Sequence, residues 1–237
     1  MQSSKLAIVG GTSLLESDLF SAATSVQIET PYGTVTLLKG QSEFFLQRHG
    51  LTRYTPPHAI NHHANMMALQ MAGITHVIAV GSVGGMRPEL SPGTILIPDD
   101  FFAPHLAPTY YDDSRGHLAP TFDLSWRQTL LDTWKQCSLP APIDGGVYWQ
   151  TIGPRFETRA EIAFYQPHVH VVGMTIASEC ILAAELGLSY AAICMIDNPA
   201  NGVVETPLTF DSFKQQVRAN EKQLVHIIQT LTGRVAP

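Results

Sequence analysis

The amino-acid sequence predicts an α/β fold built around a largely parallel sheet, and three observations support this prediction. Strand-like apolar runs alternate with helical ones along the chain. The 237 residues suffice for one full hydrophobic core, so we expect a single domain spanning residues 1–237. Glycine-rich and polar residues follow several predicted strands, which is where parallel sheets bind ligands. These positions are residues 10–12, 81–82, 174–175 and 197–198.

Short apolar runs bounded by glycine, proline or other turn residues predict the strands. The first run, residues 6–9, ends at Gly10 and is typical of a buried strand followed by a tight turn. The glycine-rich segment 81–85 is predicted to be a turn that ends a buried strand. The predicted strands cover residues 6–9, 26–38 with turn residues at 31–33, 43–47, 76–80, 94–98, 146–151, 170–174 and 190–196.

Helical patterns predict four helices, at residues 61–72, 125–137, 178–187 and 209–231. In the last of them, Thr209 is the predicted N-cap and an apolar stripe runs from Phe213 to Leu231. Segment 103–122 is rich in proline, histidine, tyrosine and aspartate and lacks any periodicity. We therefore expect it to be a loop over a site or an interface.

Charge and cysteine content narrow the function classes. The net charge is −6 and the 14 lysines and arginines form no basic block, which argues against nucleic acid and anionic membranes as partners. Cys137, Cys180 and Cys194 lack CxxC spacing, so they are expected to be reduced thiols in a cytoplasmic protein. We identify no signal peptide before the first strand, and no apolar run approaches the ~20 residues of a membrane span. A small-molecule ligand is the remaining expectation.

Five residues near predicted strand ends form a candidate phosphate site. Thr12 follows two glycines whose backbone N–H groups can approach an anion. Arg48 offers a planar fork of donors, and His49 adds another when suitably placed. Ser82 and Thr175 also lie at predicted strand ends. Each pattern has an alternative explanation, which is a plain turn for the glycines and a surface ion pair for Arg48.

Three other residues could recognise a planar base. Phe156 could stack on the base, and Glu157 beside it could accept a base N–H. Asn198 could both donate to and accept from a purine edge. Alternatively, Glu157 pairs with Arg155 or Arg159, and the loop backbone satisfies the Asn198 amide.

Two other site types are disfavoured. His58, His62 and His63 cluster in sequence, but no further ligand stands near them, so we expect no metal. The glycine segments match neither a P-loop nor GxGxxG, which argues against a nicotinamide oxidoreductase.

Taken in chain order, these strings resemble the methylthioadenosine phosphorylase branch of the trimeric purine nucleoside phosphorylases. The resemblance covers nearly the whole chain and implies that family's fold, a mixed, largely parallel sheet flanked by helices. The strings that carry it are Gly10-Gly-Thr12, Thr30-Pro-Tyr-Gly33, Arg48-His-Gly50, Asn61-His-His-Ala-Asn65, His76-Val-Ile78 with the following segment to Arg87, Pro92-Gly93, Gly153-Pro-Arg-Phe156, Met174-Thr175 and Glu179.

The resemblance also implies an activity. Family members cleave the N-glycosidic bond with inorganic phosphate as co-substrate, without a metal or other cofactor, and are usually homotrimers in which a neighbouring subunit closes the ribose 5′ end. The pattern assigns phosphate to Thr12, Arg48, His49, Ser82 and Thr175. It assigns the ribose to Met174, and the base to Val83, Gly84, Phe156, Glu157 and Asn198, of which Glu157 and Asn198 are the candidate catalytic residues. Asp197 would take an adenine-reading role if the strand end shifted by one residue.

Departures from the pattern bear on the substrate. Methylthioadenosine phosphorylases typically carry Thr-Asp-Tyr-Asp where this chain has Asp197-Asn-Pro-Ala200, and serine where it has Glu157. The stretch from Gly33 to Arg48 is also short and lacks a Pro-Ser pair that helps to hold phosphate. The chain is in these respects similar to bacterial S-methyl-5′-thioinosine phosphorylases, which implies a 6-oxopurine substrate. The expected products are hypoxanthine and 5-methylthioribose 1-phosphate.

Three alternatives remain open. The first is a methylthioadenosine phosphorylase. The second is a hydrolytic nucleosidase, which would leave Arg48, His49 and Thr175 without an anion to bind. The third is a catalytically inactive nucleoside-binding protein, which would retain the same base-reading residues.

Overall fold

The computed structural model describes residues 5–15 and 17–235. Residues 1–4, which precede the first strand, lie outside the described residues. The expectation that no signal peptide precedes this strand falls on them. The strands are β1 (Leu6–Gly10), β2 (Thr24–Thr30), β3 (Gly33–Lys39), β4 (Glu43–Gln47), β5 (His76–Gly85), β6 (Ile95–Ile97), β7 (Asp100–Phe102), β8 (Ile143–Asp144), β9 (Val147–Gln150), β10 (Val171–Gly173) and β11 (Ser189–Pro199). The α-helices are α1 (His62–Met71), α2 (Leu124–Lys135), α3 (Arg159–Tyr165), α4 (Ile176–Glu185) and α5 (Phe210–Thr232).

The described strands form one eleven-stranded sheet that branches at β5. Its main path runs β2-β3-β4-β1-β5-β10-β9-β7, and β11, β6 and β8 extend from β5 outside this path. Parallel pairing joins β1 to β4 and β5, and β5 to β11. Antiparallel pairing joins β10 to β5 and β6 to β11, and also forms the β2-β3 hairpin. The predicted mixed, largely parallel sheet is confirmed.

Helices cover both faces of the central strands. Ala7 and Val9 of β1 belong to a core that includes residues of α1 and α4. Leu6 and Ile8, which point the other way, belong to a second core with residues of α2 and α5. A strand buried on both faces needs apolar side chains at every position, which explains why residues 6–9 form a continuous apolar run.

Capping residues fix where the helices begin. The Asn61 side chain accepts from the backbone N–H of Ala64 at the start of α1, and Thr209 caps α5 as predicted. Helix α3 was not among the predicted helices. Thr158 and Glu161 form a capping box at its start, a threonine followed three residues later by glutamate, and that spacing is the signal that could have revealed the helix.

The prediction of a turn at residues 81–85 is wrong, because β5 continues as a strand to Gly85. The continuation is stabilised by parallel pairing with residues 194–199 of β11 and by antiparallel pairing with β10 at Gly84 and Gly85. The glycines therefore lie in the sheet, at the point where it branches.

Segment 103–122 has no helix or strand beyond one 3₁₀ turn at Ser114–Gly116, as the sequence predicts. It lies against α1 and α4, where the Tyr110 hydroxyl donates to the carbonyl of His63 and the Tyr110 amide donates to Glu185. It borders a separate surface depression and contributes no residue to the main cavity of this chain.

Candidate active site

One cavity of about 830 Å³ lies where β1, β4, β5, β10 and β11 end. Its size suits a small organic ligand together with an anion. Eleven of the twelve predicted site residues line it, namely Thr12, Arg48, His49, Ser82, Val83, Gly84, Phe156, Glu157, Met174, Thr175 and Asn198. The twelfth, Asp197, does not.

Arg48 is held by the protein on almost every side. Its Nε and Nη2 donate to the two carboxylate oxygens of Glu179 at 2.6 and 2.9 Å. Nη1 donates to the carbonyl of Val80, and Nη2 also donates to that of Val9. A guanidinium has five N–H groups, so among the described residues one N–H on Nη1 is left for a ligand. The cation is thus fixed at the edge of the cavity with a single donor to spare.

Residue 11 must be glycine because no space for a side chain remains beside the Arg48 guanidinium. A Cβ at that position would lie 2.7 Å from Arg48 Nη1 and 2.7 Å from the Val80 carbonyl oxygen. Any side chain would displace the guanidinium or break its bond to the strand. Gly11 therefore gives room to the Arg48 guanidinium, in addition to any backbone donor that it presents.

His49 does not act as an additional donor at neutral pH. Its Nδ1 lies 2.9 Å from the carbonyl of Thr55, so the proton of the neutral ring is on Nδ1. Burial lowers the pKa of His49 to about 4, and Nε2 is therefore an acceptor, 3.5 Å from Thr12 Oγ1. The sequence predicts a donor at this position. The ring can instead accept a hydrogen bond from a singly protonated phosphate or orient the Thr12 hydroxyl.

Helix α4 begins at this end of the cavity. Thr175 is its N-cap residue and makes no side-chain capping bond, so its hydroxyl is not engaged by the helix. The backbone N–H groups of Thr175 and Ile176 lie 3.2 and 3.3 Å from the Tyr148 hydroxyl, which accepts from them. A helix N-terminus attracts anions, and this one begins at the cavity that Arg48 also lines.

Glu157 also lines the cavity and makes no ion pair with any residue that the structure describes. Its Oε1 accepts from the Thr151 hydroxyl at 2.6 Å, while Arg155 pairs with Glu161. Burial raises the pKa of the Glu157 carboxyl above its ordinary value. Asn201 donates to the Glu157 carbonyl at 3.0 Å and so fixes the backbone of this residue. The carboxyl group is positioned to bind a ligand N–H.

Asn198 faces the same region from β11. Its Nδ2 donates to the carbonyl of Pro199 at 2.8 Å, which leaves the second N–H of this amide for a ligand. Gly84 lies beside it, and a Cβ there would be 3.1 Å from Val172 and 3.3 Å from Asn198 Nδ2. Any side chain at Gly84 would enter the space between β5 and the amide.

Helix α5, which the sequence predicts as a helix but not as part of the site, supplies a wall of the cavity. Phe210 and Phe213 line it, and Phe213 packs edge-on against Phe156 at 5.7 Å between centroids. The apolar stripe of this helix has two roles. Phe213 and Val217 line the cavity, whereas Leu224 and Ile228 lie in the core. The additional lining residues of α5 are Lys214, Val217, Arg218 and Glu221, whose spacing of three and four residues is the signal for a shared helix face. Segment 50–57 contributes the further residues Gly50, Leu51, Thr52, Arg53, Tyr54, Pro56 and Pro57.

Asp197 is fully buried behind the cavity. Its carboxylate accepts from the hydroxyls of Ser13 and Ser82 and from the Asn220 side-chain amide. The register of β11 against β5 shifts between Ile196 and Asn198, so Asp197 lies in a bulge. This bulge directs Asn198, and not Asp197, to the cavity.

Within residues 5–15 and 17–235, no group of three or more histidine, cysteine, aspartate or glutamate side chains is arranged to hold a metal ion. His62 and His63 lie in α1, and His58 lies in a 3₁₀ turn before it. In the same described part of the chain, no helix is both long and apolar enough to cross a membrane.

The sequence matches the model of the family described as "Phosphorylase superfamily" over residues 5–232. A relative from Archaeoglobus fulgidus, named "Probable 6-oxopurine nucleoside phosphorylase", is 38% identical, over 97% of this chain and 96% of its own. A relative from Methanocaldococcus jannaschii, named "Probable S-methyl-5'-thioinosine phosphorylase", is 33% identical, over 94% of this chain and 90% of its own. Among solved structures, methylthioadenosine phosphorylase from Schistosoma mansoni in complex with adenine superposes with a TM-score of 0.85 at 25% identity, covering 97% of this chain and 91% of its own.

Proposed function

The chain belongs to the phosphorylase superfamily, and within it we propose that it is a purine nucleoside phosphorylase that prefers 6-oxopurine nucleosides, with S-methyl-5′-thioinosine as favoured substrate. Phosphorolysis of purine nucleosides is supported by the names of relatives that match almost end to end. The products would be hypoxanthine and 5-methylthioribose 1-phosphate. Inorganic phosphate is a co-substrate in this proposal, and no metal or other cofactor takes part.

The proposed base preference rests on one observation. Glu157 and Asn198 line the same cavity, whereas Asp197 is turned away from it. A 6-oxopurine presents N1–H as a donor and O6 as an acceptor. Ionised Glu157 can only accept, which suits N1–H, and the Asn198 amide can donate to O6. Adenine has a lone pair at N1 and would face the Glu157 carboxylate unfavourably. Sites built on such bonds can discriminate by roughly 10⁴-fold or more.

The proposed reaction needs phosphate beneath the anomeric carbon. A phosphate oxygen forms a bond to C1′ as the C1′–N9 bond breaks, through an oxocarbenium-like ribose. The electron pair of the broken bond passes to the purine, and Asn198 would stabilise the resulting negative charge by donating to O6. Where N7 takes up a proton from solvent, the Asn198 side-chain oxygen would accept from N7–H. Arg48, Thr12, Thr175 and the backbone at Ser82 would hold the phosphate, with Met174 beneath the ribose.

Activity measurements on four nucleosides test the proposal. We expect the pure protein to cleave methylthioinosine fastest, ahead of inosine, methylthioadenosine and adenosine, and to need added phosphate for turnover. Release of free base is followed by chromatography with and without phosphate. Equal turnover in phosphate-free buffer would indicate a hydrolase, and base binding without turnover would indicate a nucleoside-binding protein. A preference for methylthioadenosine would overturn the base assignment alone.

We also propose that the enzyme is a cytoplasmic homotrimer. Three free cysteines suit a reducing compartment. The low charged fraction of 14% and exposed apolar side chains such as Leu51, Tyr54 and Phe210 at the cavity mouth suit coverage by a neighbouring subunit. Multi-angle light scattering is expected to give three times the 25.9 kDa chain mass. A stable monomer with full activity would contradict this, because no second chain would then complete the site.

A further inference from the structure

A buried carboxylate on β11 that does not touch the cavity joins three other elements to its own strand. Asp197 Oδ2 accepts from the Ser13 hydroxyl at 3.0 Å and also from the Ser82 hydroxyl, while Oδ1 accepts from Asn220 Nδ2 at 2.7 Å. Ser13 lies in the 3₁₀ turn after β1, Ser82 in β5 and Asn220 in α5. These three hydrogen bonds all come from neutral groups, and burial raises the pKa of the Asp197 carboxyl above its ordinary value.

The carboxylate lies behind both ends of the cavity. Thr12 and Ser82, on the turn after β1 and on β5, line the end that contains Arg48. On the other side of the carboxylate, Asn220 belongs to α5, whose Phe213 and Val217 line the cavity wall. Hydrogen bonds to one side chain therefore link the two anion-side segments to this wall, beside the apolar core that they share with α5.

The hydroxyl protons of the two serines are engaged in hydrogen bonds to this carboxylate. A serine hydroxyl has a single donor, and both donate to Asp197. Ser82 then has no hydroxyl proton left to donate to an anion. The resemblance places Ser82 at the phosphate without specifying which of its groups makes the contact, and this geometry excludes donation from its hydroxyl.

A contribution to fold stability does not by itself explain why a carboxylate is buried at this position. Burying a charge without a cation costs free energy, and apolar replacements of buried charges are often neutral or stabilising. A carboxylate accepts several hydrogen bonds at once in fixed directions, which a neutral apolar group of the same size cannot do. The Asp197 carboxylate is therefore better suited to orienting the four elements than to stabilising the fold.

Building on the proposed function, we propose that Asp197 is a positioning residue that holds the two phosphate-side segments, through Ser13 and Ser82, in register with helix α5, through Asn220. It touches neither substrate, and it acts on phosphate binding through the backbone that it fixes.

The test uses an isosteric change and its reciprocal. In Asp197→Asn, the new amide has only one acceptor oxygen, so either the two serines or Asn220 loses its acceptor. We expect the phosphate KM to rise by about 10-fold, with the nucleoside KM changing less than about 2-fold. In the double variant Asp197→Asn/Asn220→Asp, the amide and carboxylate exchange places. The amide oxygen again accepts from the serines and its N–H donates to the new carboxylate, so the phosphate KM should return to within about 3-fold of wild type.

A control and a milder variant keep the test decisive. Asp123→Asn changes a carboxylate that caps α2 and lies outside the cavity, and it should leave both KM values unchanged. Ser82→Ala removes one of the three donors and should raise the phosphate KM by about 3- to 10-fold even if Asp197→Asn fails to fold. Calorimetric titration with inorganic phosphate follows binding without turnover. Unchanged phosphate affinity in folded Asp197→Asn or Ser82→Ala, or a loss of kcat alone that the exchange does not rescue, would overturn the inference. Failure of the proposed function is distinct, since wild type would then show no phosphate-dependent cleavage.

Discussion

Replacement of Arg48 by alanine is expected to raise the phosphate KM about 10- to 100-fold while changing the nucleoside KM little. The guanidinium is a cation held at the part of the cavity where we propose that phosphate binds, and its remaining N–H on Nη1 would donate to a charged ligand. A hydrogen bond to a charged group is worth about 1.5–3 kcal/mol, which corresponds to this range. Initial rates at varied phosphate and saturating nucleoside measure the effect.

The same substitution should destabilise the fold, because Glu179 is buried beside Arg48. The Glu179 carboxylate would retain the Tyr190 hydroxyl at 2.7 Å but lose its two bonds from the guanidinium. Removing one partner of a buried ion pair typically costs about 3–5 kcal/mol. Thermal and denaturant unfolding should therefore show a large loss of stability in Arg48→Ala, which by itself could reduce activity.

A double variant separates these two effects. Arg48→Met/Glu179→Gln removes both charges, so no unpaired ion remains in the core, and stability should recover most of the way to wild type. The phosphate KM should stay high, because the donor is still absent. Recovery of phosphate affinity together with stability would show that Arg48 acts only on the fold. An unchanged phosphate KM in the single variant would show that phosphate binds elsewhere.

Much of the fold was predictable because strands that are buried on both faces appear in the sequence as continuous apolar runs. Residues 6–9 and 43–47 are short apolar runs and became β1 and β4 with boundaries within one residue. Helix α5 was predictable from its N-cap Thr209 and its long apolar stripe. The glycine segment 81–85 was misassigned because glycine marks both turns and close packing inside a sheet, and only the pairing partners on β10 and β11 distinguish the two.

The sequence was sufficient to predict which residues line the cavity, but not which contacts they make. Strand ends converge in an α/β sheet, so Thr12, Arg48 and Thr175 could be grouped without coordinates. The partner of Arg48 is 131 residues further along the chain, and no local pattern specifies such a pair. The tautomer of His49 depends on one carbonyl in the following loop. Side-chain direction at residues 197 and 198 depends on a bulge, which shifts the alternation by one residue and which the sequence does not mark.

Because the bulge directs Asn198 to the cavity, its amide, which we propose reads the base, is the most informative group to change. We expect Asn198→Asp to lower kcat/KM for methylthioinosine and inosine by about 10- to 100-fold, which corresponds to losing one good hydrogen bond to the leaving base. A carboxylate cannot donate to O6 unless it is protonated. Adenine-type nucleosides should lose less, since a protonated aspartate could donate to N7 and accept from the 6-amino group. The measurement is kcat/KM on the matched pair methylthioinosine and methylthioadenosine.

Two further variants separate base reading from general damage. Glu157→Gln should be comparably harmful for 6-oxopurines, because the amide that replaces the carboxylate binds N1–H less strongly, and milder for adenine. Asn61→Asp, an equally small change at the N-cap of α1 outside the cavity, should leave the ratio of the two substrates unaltered. If Asn198→Asp instead slows both nucleosides equally, the amide acts on the fold or on the ribose. If wild type itself prefers methylthioadenosine, the pair Glu157 and Asn198 does not read a 6-oxopurine edge. Because Asp197 is engaged by Ser13, Ser82 and Asn220, it could then contact adenine only after releasing these three donors.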